Sequence, residues 1–265
     1  MVNIIGQSKL LSRLNSYSLE TLPKALMFIG PVGCGKHTIT KYIAERFDLE
    51  FQEINNSVNS GDLEAFLYST ISTLYLVDLD TFTEKQQNQF LKFIEEPSKS
   101  VYVVLIASSE TGVLNTLLNR CIKYTFDHYT KQELETITNS TVSDTAFEIF
   151  KTPGKLLNLT VEGLNDIVGL AEKIVYNINY ATYPNALVVS TKLNYKDLYN
   201  KIDPNMLLEA VEHIALKDYT TNNSEQSFII FNVTSQFKQY ITKKSFIKEM
   251  LIINYLTALW EAVQK

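Results

Sequence analysis

The chain has 265 residues, a formal net charge of −5 and 45% hydrophobic residues, so it is long enough for one large domain or two to three small ones at roughly 100–200 residues each. With 20% charged residues it is not a highly charged disordered chain. The acidic balance argues against a generic nucleic-acid coat, which is basic overall, but leaves room for a local DNA contact within an assembly.

Short apolar runs alternate with amphipathic stretches as far as about His128. Ala25–Ile29 is an apolar run ending at Gly30 and reads as a buried strand. Lys36–Phe47 places Ile39, Tyr42, Ile43 and Phe47 on one helical face. Leu49–Ile54 alternates, as a more exposed strand would, and Leu74–Val77 is a second buried strand ending at Asp78. Glu84–Phe93 is helical, polar first and apolar later, and stops near Pro97. Val101–Ile106 is the strongest strand candidate because it is rich in β-branched residues, and Cys121–Phe126 is another, alternating one. Strands alternating with helices imply a parallel sheet covered on both faces.

After Tyr129 the strand signal fades. Lys131–Ile137, Ser143–Phe150 and Leu156–Leu159 read as short helices, with Ser143 as a cap and Thr152-Pro153-Gly154 as a break before the third. Longer helical patterns cover Leu164–Asn177, Met206–Tyr219, Ser224–Ile241 and Ser245–Val263, with connections expected at Asn179–Asn185 and Lys217–Asn223. The expected partition is an α/β domain over 1–128, a small helical domain over 129–162 and an all-α domain over 163–265.

The two cysteines, Cys34 and Cys121, are too few for a four-cysteine zinc site or a disulfide-rich secreted scaffold. His37, His128 and His213 are too dispersed to suggest a metal centre. The N-terminus lacks a basic start followed by an apolar signal core. The most apolar stretch, Met250–Trp260, is broken by Asn254 and Thr257 and falls short of the about 20 residues that span a bilayer. A cytoplasmic protein without a membrane partner is expected.

The sharpest motif is Gly30-Pro31-Val32-Gly33-Cys34-Gly35-Lys36-His37, between a strand and a helix. Glycines let the backbone curl so that successive N–H groups face an anion; the helix N-terminus and Lys36 add positive potential. The alternative is a Gly-rich turn that binds nothing. The residue after the lysine normally supplies a hydroxyl to magnesium, but here it is His37. Thr38 follows, rotated by roughly 100° around the helix. Histidine suits soft transition metals whereas magnesium prefers oxygen, so the magnesium site reads as degraded. Asp78 ends its strand where a magnesium-coordinating aspartate sits. Leu79 follows it and cannot act as a base. Asp80 is open to two readings, a second oxygen ligand or a turn cap.

Together these motifs resemble the bacterial clamp-loader branch of the AAA+ proteins, most strongly the delta-prime subunits of DNA polymerase III. The resemblance rests on Ile4-Ile5-Gly6-Gln7, on Leu22–Pro31, on Gln87-Asn88-Gln89-Phe90-Leu91-Lys92-Phe93-Ile94-Glu95-Glu96-Pro97, on the sensor-1-like strand Val103–Ser109 and on Leu114–Cys121. It covers about the first 160 residues in order; the helical remainder matches the family's collar domain by position only.

The resemblance implies an AAA+ P-loop domain, a helical lid and a helical collar. It implies a nucleotide site made of Gly30, Pro31, Gly33, Cys34, Gly35, Lys36, His37, Thr38 and Asp78, with Ser108 or Ser109 at the sensor-1 place and Lys155 at the sensor-2 place. Competent AAA+ ATPases carry a glutamate where this chain has Leu79, so weak ATP or ADP binding without intrinsic hydrolysis is implied, with no cofactor required. Arg120 matches the arginine that reaches a neighbouring subunit's ATP, although Asn119 replaces the usual serine before it. The four-cysteine zinc module of many relatives is absent. Partners implied are other loader subunits (gamma/tau and delta) and, through the assembly, the sliding clamp and primed DNA, in DNA replication. Alternatives are an active gamma/tau-like ATPase subunit or another AAA+ loader ATPase. In the last helix, Phe246, Met250, Ile253, Leu256 and Trp260 are candidates for core or interface contacts.

Overall fold

In the computed structural model, residues 4–58, 60–67, 70–96, 98–157, 161–181, 203–241 and 248–264 are described. The described chain forms two compact units. The first contains residues up to Asn139 together with Lys151–Leu157; the second contains Ser140–Phe150 and the residues from 161 onward. The segment that the sequence suggests as a lid is therefore shared between the two.

The first unit is built on five parallel strands: β1 (Ala25–Ile29), β2 (Glu50–Ile54), β3 (Thr73–Asp78), β4 (Val101–Ala107) and β5 (Ile122–Thr125), in the order β2-β3-β4-β1-β5. The three central strands β3, β4 and β1 are buried almost throughout, whereas in edge strands β2 and β5 only Ile54 and Tyr124 are buried. This is the pattern of a sheet covered on both faces, whose inner strands must be apolar on both sides. On one face Met27, Tyr75, Val77, Val103 and Leu105 join Phe82, Phe90 and Phe93 in one core. Their neighbours Leu26, Phe28, Leu74, Leu76 and Val104 are equally buried.

Helices α1 (Ser8–Asn15), α2 (Lys36–Arg46), α3 (Ser60–Leu67), α4 (Glu84–Glu95), α5 (Asn115–Leu118), α6 (Lys131–Thr138) and α8 (Pro153–Leu157) complete this unit. Thr83 and Gln86 form a capping box that starts α4, and Thr130 and Glu133 form another that starts α6. In each, the threonine oxygen and the N3 side chain satisfy two otherwise orphaned backbone donors. Gln87 in α4 is buried; its amide donates to the Gly112 carbonyl at 2.9 Å and its oxygen accepts from Leu114 N at 3.1 Å.

The second unit contains α7 (Asp144–Ile149), α9 (Val161–Asn177), α10 (Pro204–Asn222), α11 (Glu225–Ile241) and α12 (Lys248–Val263). Ser143 caps α7 through Ala146 N at 3.2 Å. Asp203 accepts from Asn205 N and Met206 N, and Pro204 occupies the first turn, where its missing N–H is harmless. Tyr255 is fully buried, and its hydroxyl meets Thr234 Oγ1 at 2.7 Å.

Some expectations change. Lys217–Asn222 is helical, continuing α10, rather than a connection: no glycine or proline interrupts it, and Asn223 at φ 53° supplies the left-handed cap. The third short helix begins at Pro153, three residues before the expected start, because proline is favoured in a first helical turn. Helices α1, α3 and α5 have no counterpart among the elements expected from the sequence. Pro97, Thr182–Asn185, Ser245 and Phe246, with the side chain of Met250, lie outside the described residues. Of the other α12 candidates, Leu256 is fully buried, whereas Ile253 and Trp260 are half-buried. Trp260 Nε1 donates to the Ala181 carbonyl at 2.9 Å.

Candidate functional site

Strand β1 ends at Ile29, and the chain turns through Gly30–Gly35 into α2. Gly33 and Gly35 have φ of 81° and 98°, a region that side chains with a Cβ seldom enter. Each carbonyl of the turn is engaged. Lys36 Nζ donates to the oxygens of Gly30 and Pro31, the latter at 3.1 Å. Thr152 Oγ1 donates to Val32 O at 3.0 Å, Gly154 N to Gly33 O at 2.8 Å, Tyr129 Oη to Cys34 O at 2.9 Å and Ile39 N to Gly35 O at 3.0 Å. No hydrogen bond among the described residues engages the amides of Val32, Gly33 or Gly35. With the carbonyls tied down and these donors unused, the loop has the polarity that suits an anion.

A cavity of about 260 Å³ lies over this loop, lined by Val32, Gly33, Gly35, Lys36, His37, Thr38, Asp78, Asp80, Ile106, Pro153, Gly154 and Leu157. The structure thus brings together Gly33, Gly35, Lys36, His37, Thr38 and Asp78 from the sequence-derived set. Gly30, Pro31, Cys34, Ser108 and Lys155 are not among the lining residues. Gly30 and Pro31 instead hold Lys36, and Cys34 is buried beneath the loop. Burial pushes the Cys34 thiol up, against the opposing charge of Lys36. The Lys155 backbone nitrogen is close to Gly33, 3.3 Å from where a β-carbon on that glycine would sit.

The carboxylates at the strand ends are partly committed. Asp78 Oδ1 accepts from Asp80 N at 3.2 Å, and Asp80 Oδ2 accepts from Ser108 N at 2.9 Å. Asp80 therefore ties the end of β3 to the end of β4 while also lining the cavity. Leu79, between them, is 1% exposed and belongs to the sheet core.

The residues fit the phosphates of a nucleotide: unused amides, a helix N-terminus and Lys36 converge on one cavity. The oxygen set for magnesium is less complete, with Asp78 and Asp80 on one side and His37 directly after Lys36. Among the described residues no group of three or more His, Cys, Asp or Glu side chains is arranged for a metal ion.

Arg120 follows α5 and is not among the residues lining this cavity. Its Nε lies 2.5 Å from Glu95 Oε1, and Nη1 donates to Thr116 O at 2.9 Å. The side chains of Arg120 and Glu95 are 41% and 44% exposed. Cys121, beside it, packs against the sheet core, and burial pushes its thiol up to about 12.

Several residues that build the site carry no sequence signal for that role. Tyr129, which props Cys34, stands against Gly6: a β-carbon there would lie 2.7 Å from its ring. Gln7 clasps the Asp127 backbone through both ends of its amide, at 2.7 and 2.8 Å. The Ile4-Ile5-Gly6-Gln7 box is recognisable in the sequence, but its contacts with residues 127 and 129 are long-range. Pro153 and Gly154 look like a break and are part of the wall.

A family described as "DNA polymerase III, delta subunit" matches residues 66–130. The chain is 24% identical over 143 residues to the replication factor C small subunit of Methanoregula boonei, covering 48% of this chain and 44% of that protein. Both matches, each to part of the chain, are similarities to the AAA+ clamp-loader family. The chain is also 27% identical over 130 residues to the replication-associated recombination protein A of Haemophilus influenzae, covering 45% of this chain and 29% of that protein. The matched region thus spans less than half the length of either curated relative. A solved gamma subunit-related protein of DNA polymerase III from Thermotoga maritima superposes with a TM-score of 0.52 at 16% identity, covering 97% of this chain and 99% of that one. A RuvB mutant from the same organism gives 0.50 at 18% identity, covering 78% and 88%. At these identities the solved structures speak for the AAA+ fold. No helix among the described residues is long and apolar enough to cross a membrane.

Proposed function

We propose that this clamp-loader-family chain is a delta-prime-like stator that binds nucleotide weakly, hydrolyses none itself and donates Arg120 to the ATP site of a neighbouring subunit. Its partners would be the ATPase and delta subunits of the loader and, through them, the sliding clamp and primed DNA. The observation that carries the reading is Leu79. It directly follows Asp78, is 1% exposed and is held within the sheet core, and a leucine has no group that can orient or deprotonate an attacking water. His37 in place of a magnesium-ligating hydroxyl supports the same conclusion. Arg120 outside the chain's own cavity is compatible with action in trans, where a guanidinium offsets charge on the transferring phosphate. The segmentation into a P-loop domain, a lid and a collar belongs to this proposal.

A gamma/tau-like active ATPase is the second reading. It draws on Asp80 and Thr38, both of which line the cavity; against it, one oxygen of Asp80 is already taken by the Ser108 amide. Assay of the purified chain for steady-state ATP hydrolysis separates the two. The stator reading expects no turnover above background, and sustained turnover by the isolated chain overturns it. In an assembly reconstituted with ATPase subunits, Arg120→Ala should lower DNA- and clamp-stimulated hydrolysis by the neighbour; unchanged hydrolysis with intact assembly removes the arginine-finger role.

A further inference from the structure

We infer that Glu95 is the positioning residue for Arg120, holding its guanidinium ready for a phosphate supplied from outside the chain. The inference rests on the stator reading above and extends it to a second residue of the same site.

Arginine carries five N–H donors in a rigid planar fork. Two of its nitrogens are engaged here: Nε is ion-paired with Glu95 Oε1 at 2.5 Å, and one Nη1–H donates to Thr116 O at 2.9 Å. Nη2 has no hydrogen-bond partner among the described residues, so both its protons and the second proton of Nη1 remain for an acceptor. A long flexible side chain is thereby held at two of its nitrogens and left open at the third. This is the arrangement that lets a further contact to an anion form without first ordering the chain.

The two anchors belong to fixed elements. Glu95 is the last residue of α4, whose start is set by the Thr83–Gln86 capping box and whose first turn is held by Gln87. Thr116 lies in α5, whose Leu117 and Leu118 are buried. At 41% and 44% side-chain exposure, the Arg120–Glu95 pair is largely solvated and adds little to folding stability. Its consequence is orientation.

The test uses the assembly formed with an ATP-hydrolysing neighbour, with Arg120→Ala measured in parallel. Glu95→Ala should lower the neighbour's kcat by up to about a hundredfold, the scale of a misplaced catalytic group, while KM for ATP and complex formation stay unchanged. Glu95→Gln keeps a side-chain oxygen of the same reach beside Nε but removes the charge, and should give a kcat between those of Glu95→Ala and the unchanged protein. The Glu95→Ala/Arg120→Ala double variant should be no slower than Arg120→Ala alone, since the two act as one unit. A normal kcat for Glu95→Ala beside a depressed one for Arg120→Ala overturns the positioning role and leaves the stator reading standing. So does a double variant slower than Arg120→Ala, because Glu95 would then act elsewhere. If Arg120→Ala itself has no effect in an intact assembly, the reading beneath fails and this inference with it. Should Glu95→Ala not assemble, Glu95→Asp carries the test: reduced kcat at constant KM supports the role, and wild-type kcat overturns it.

Discussion

The Gly154 amide donates to the Gly33 carbonyl at 2.8 Å, joining the start of α8 to the phosphate loop through two glycines in backbone contact. A β-carbon on Gly154 would lie 2.7 Å from Gly33 Cα and 3.1 Å from Gly33 O. Both are backbone atoms and cannot swing aside as a side-chain tip can. Gly154→Ala should therefore destabilise the protein by about 1–3 kcal/mol, read as a lower urea midpoint at unchanged slope. Gly169 is the control. It lies inside α9, and a β-carbon there would meet nothing within 4 Å, so Gly169→Ala should stabilise by about 0.5–1 kcal/mol. Equal effects at the two sites would show that the close approach at Gly154 is not tight.

Much of this architecture is legible along the chain and some of it is not. The three central strands can be read because a central parallel strand must be apolar on both faces, which leaves uninterrupted runs such as Val101–Ile106, and the edge strands β2 and β5 because their sequences alternate. The phosphate loop can be read because its glycines, lysine and flanking elements are local. The short helices α1, α3 and α5 escape, since eight residues or fewer give few turns over which a helical period can repeat; α7 and α8 are no longer, but the Ser143 cap and the Thr152-Pro153-Gly154 break mark where they lie. Long-range partners escape for a different reason. Tyr129 beneath Cys34, Gly154 beside Gly33 and Asp80 on Ser108 are each set by how separate segments meet, and no spacing in the sequence encodes that.

Gln87 should be among the most sensitive polar positions. It is 2% exposed and bridges Phe82 O at 3.3 Å, Gly112 O at 2.9 Å and Leu114 N at 3.1 Å. Gln87→Ala leaves two carbonyls and an amide without that partner; a fully buried group costs about 1–3 kcal/mol and the Gly112 and Leu114 contacts are only part-buried, so a loss of about 2–4 kcal/mol in urea unfolding is expected. A loss under about 0.5 kcal/mol would mean that water replaces the side chain.

The two thiols should be inert in the native protein despite being unpaired. Desolvation raises both Cys34 and Cys121, the latter to about 12, and the thiolate is the reactive form. At pH 8, a disulfide reagent such as Ellman's should label neither on the seconds timescale, and should label both once urea unfolds the chain. Rapid native labelling of Cys34 would show that the phosphate loop opens readily, since that residue is 2% exposed.

Asp218 should give the second unit an acid-sensitive joint. Its Oδ2 accepts from Ser227 Oγ at 2.5 Å and its Oδ1 from Asn222 Nδ2 at 2.8 Å, linking α10 to α11 across the turn at Asn223. These hydrogen bonds favour the carboxylate and hold its pKa below the ordinary value, with the Ser227 bond the largest cause. A folded-state pKa below the unfolded one means that the unfolded chain binds the proton first. The stabilisation is then complete above the ordinary carboxylate value of about 3.9 and is lost as the pH falls through the lower folded value. Ser227→Ala removes the main cause. Its unfolding free energy should lie below wild type near pH 7, and the part of that gap due to the ionised carboxylate should close as Asp218 is protonated in both proteins. Urea unfolding between pH 2 and 7 checks this. A gap that stays constant across the whole range would assign the loss to the buried serine's other contacts and not to the carboxylate.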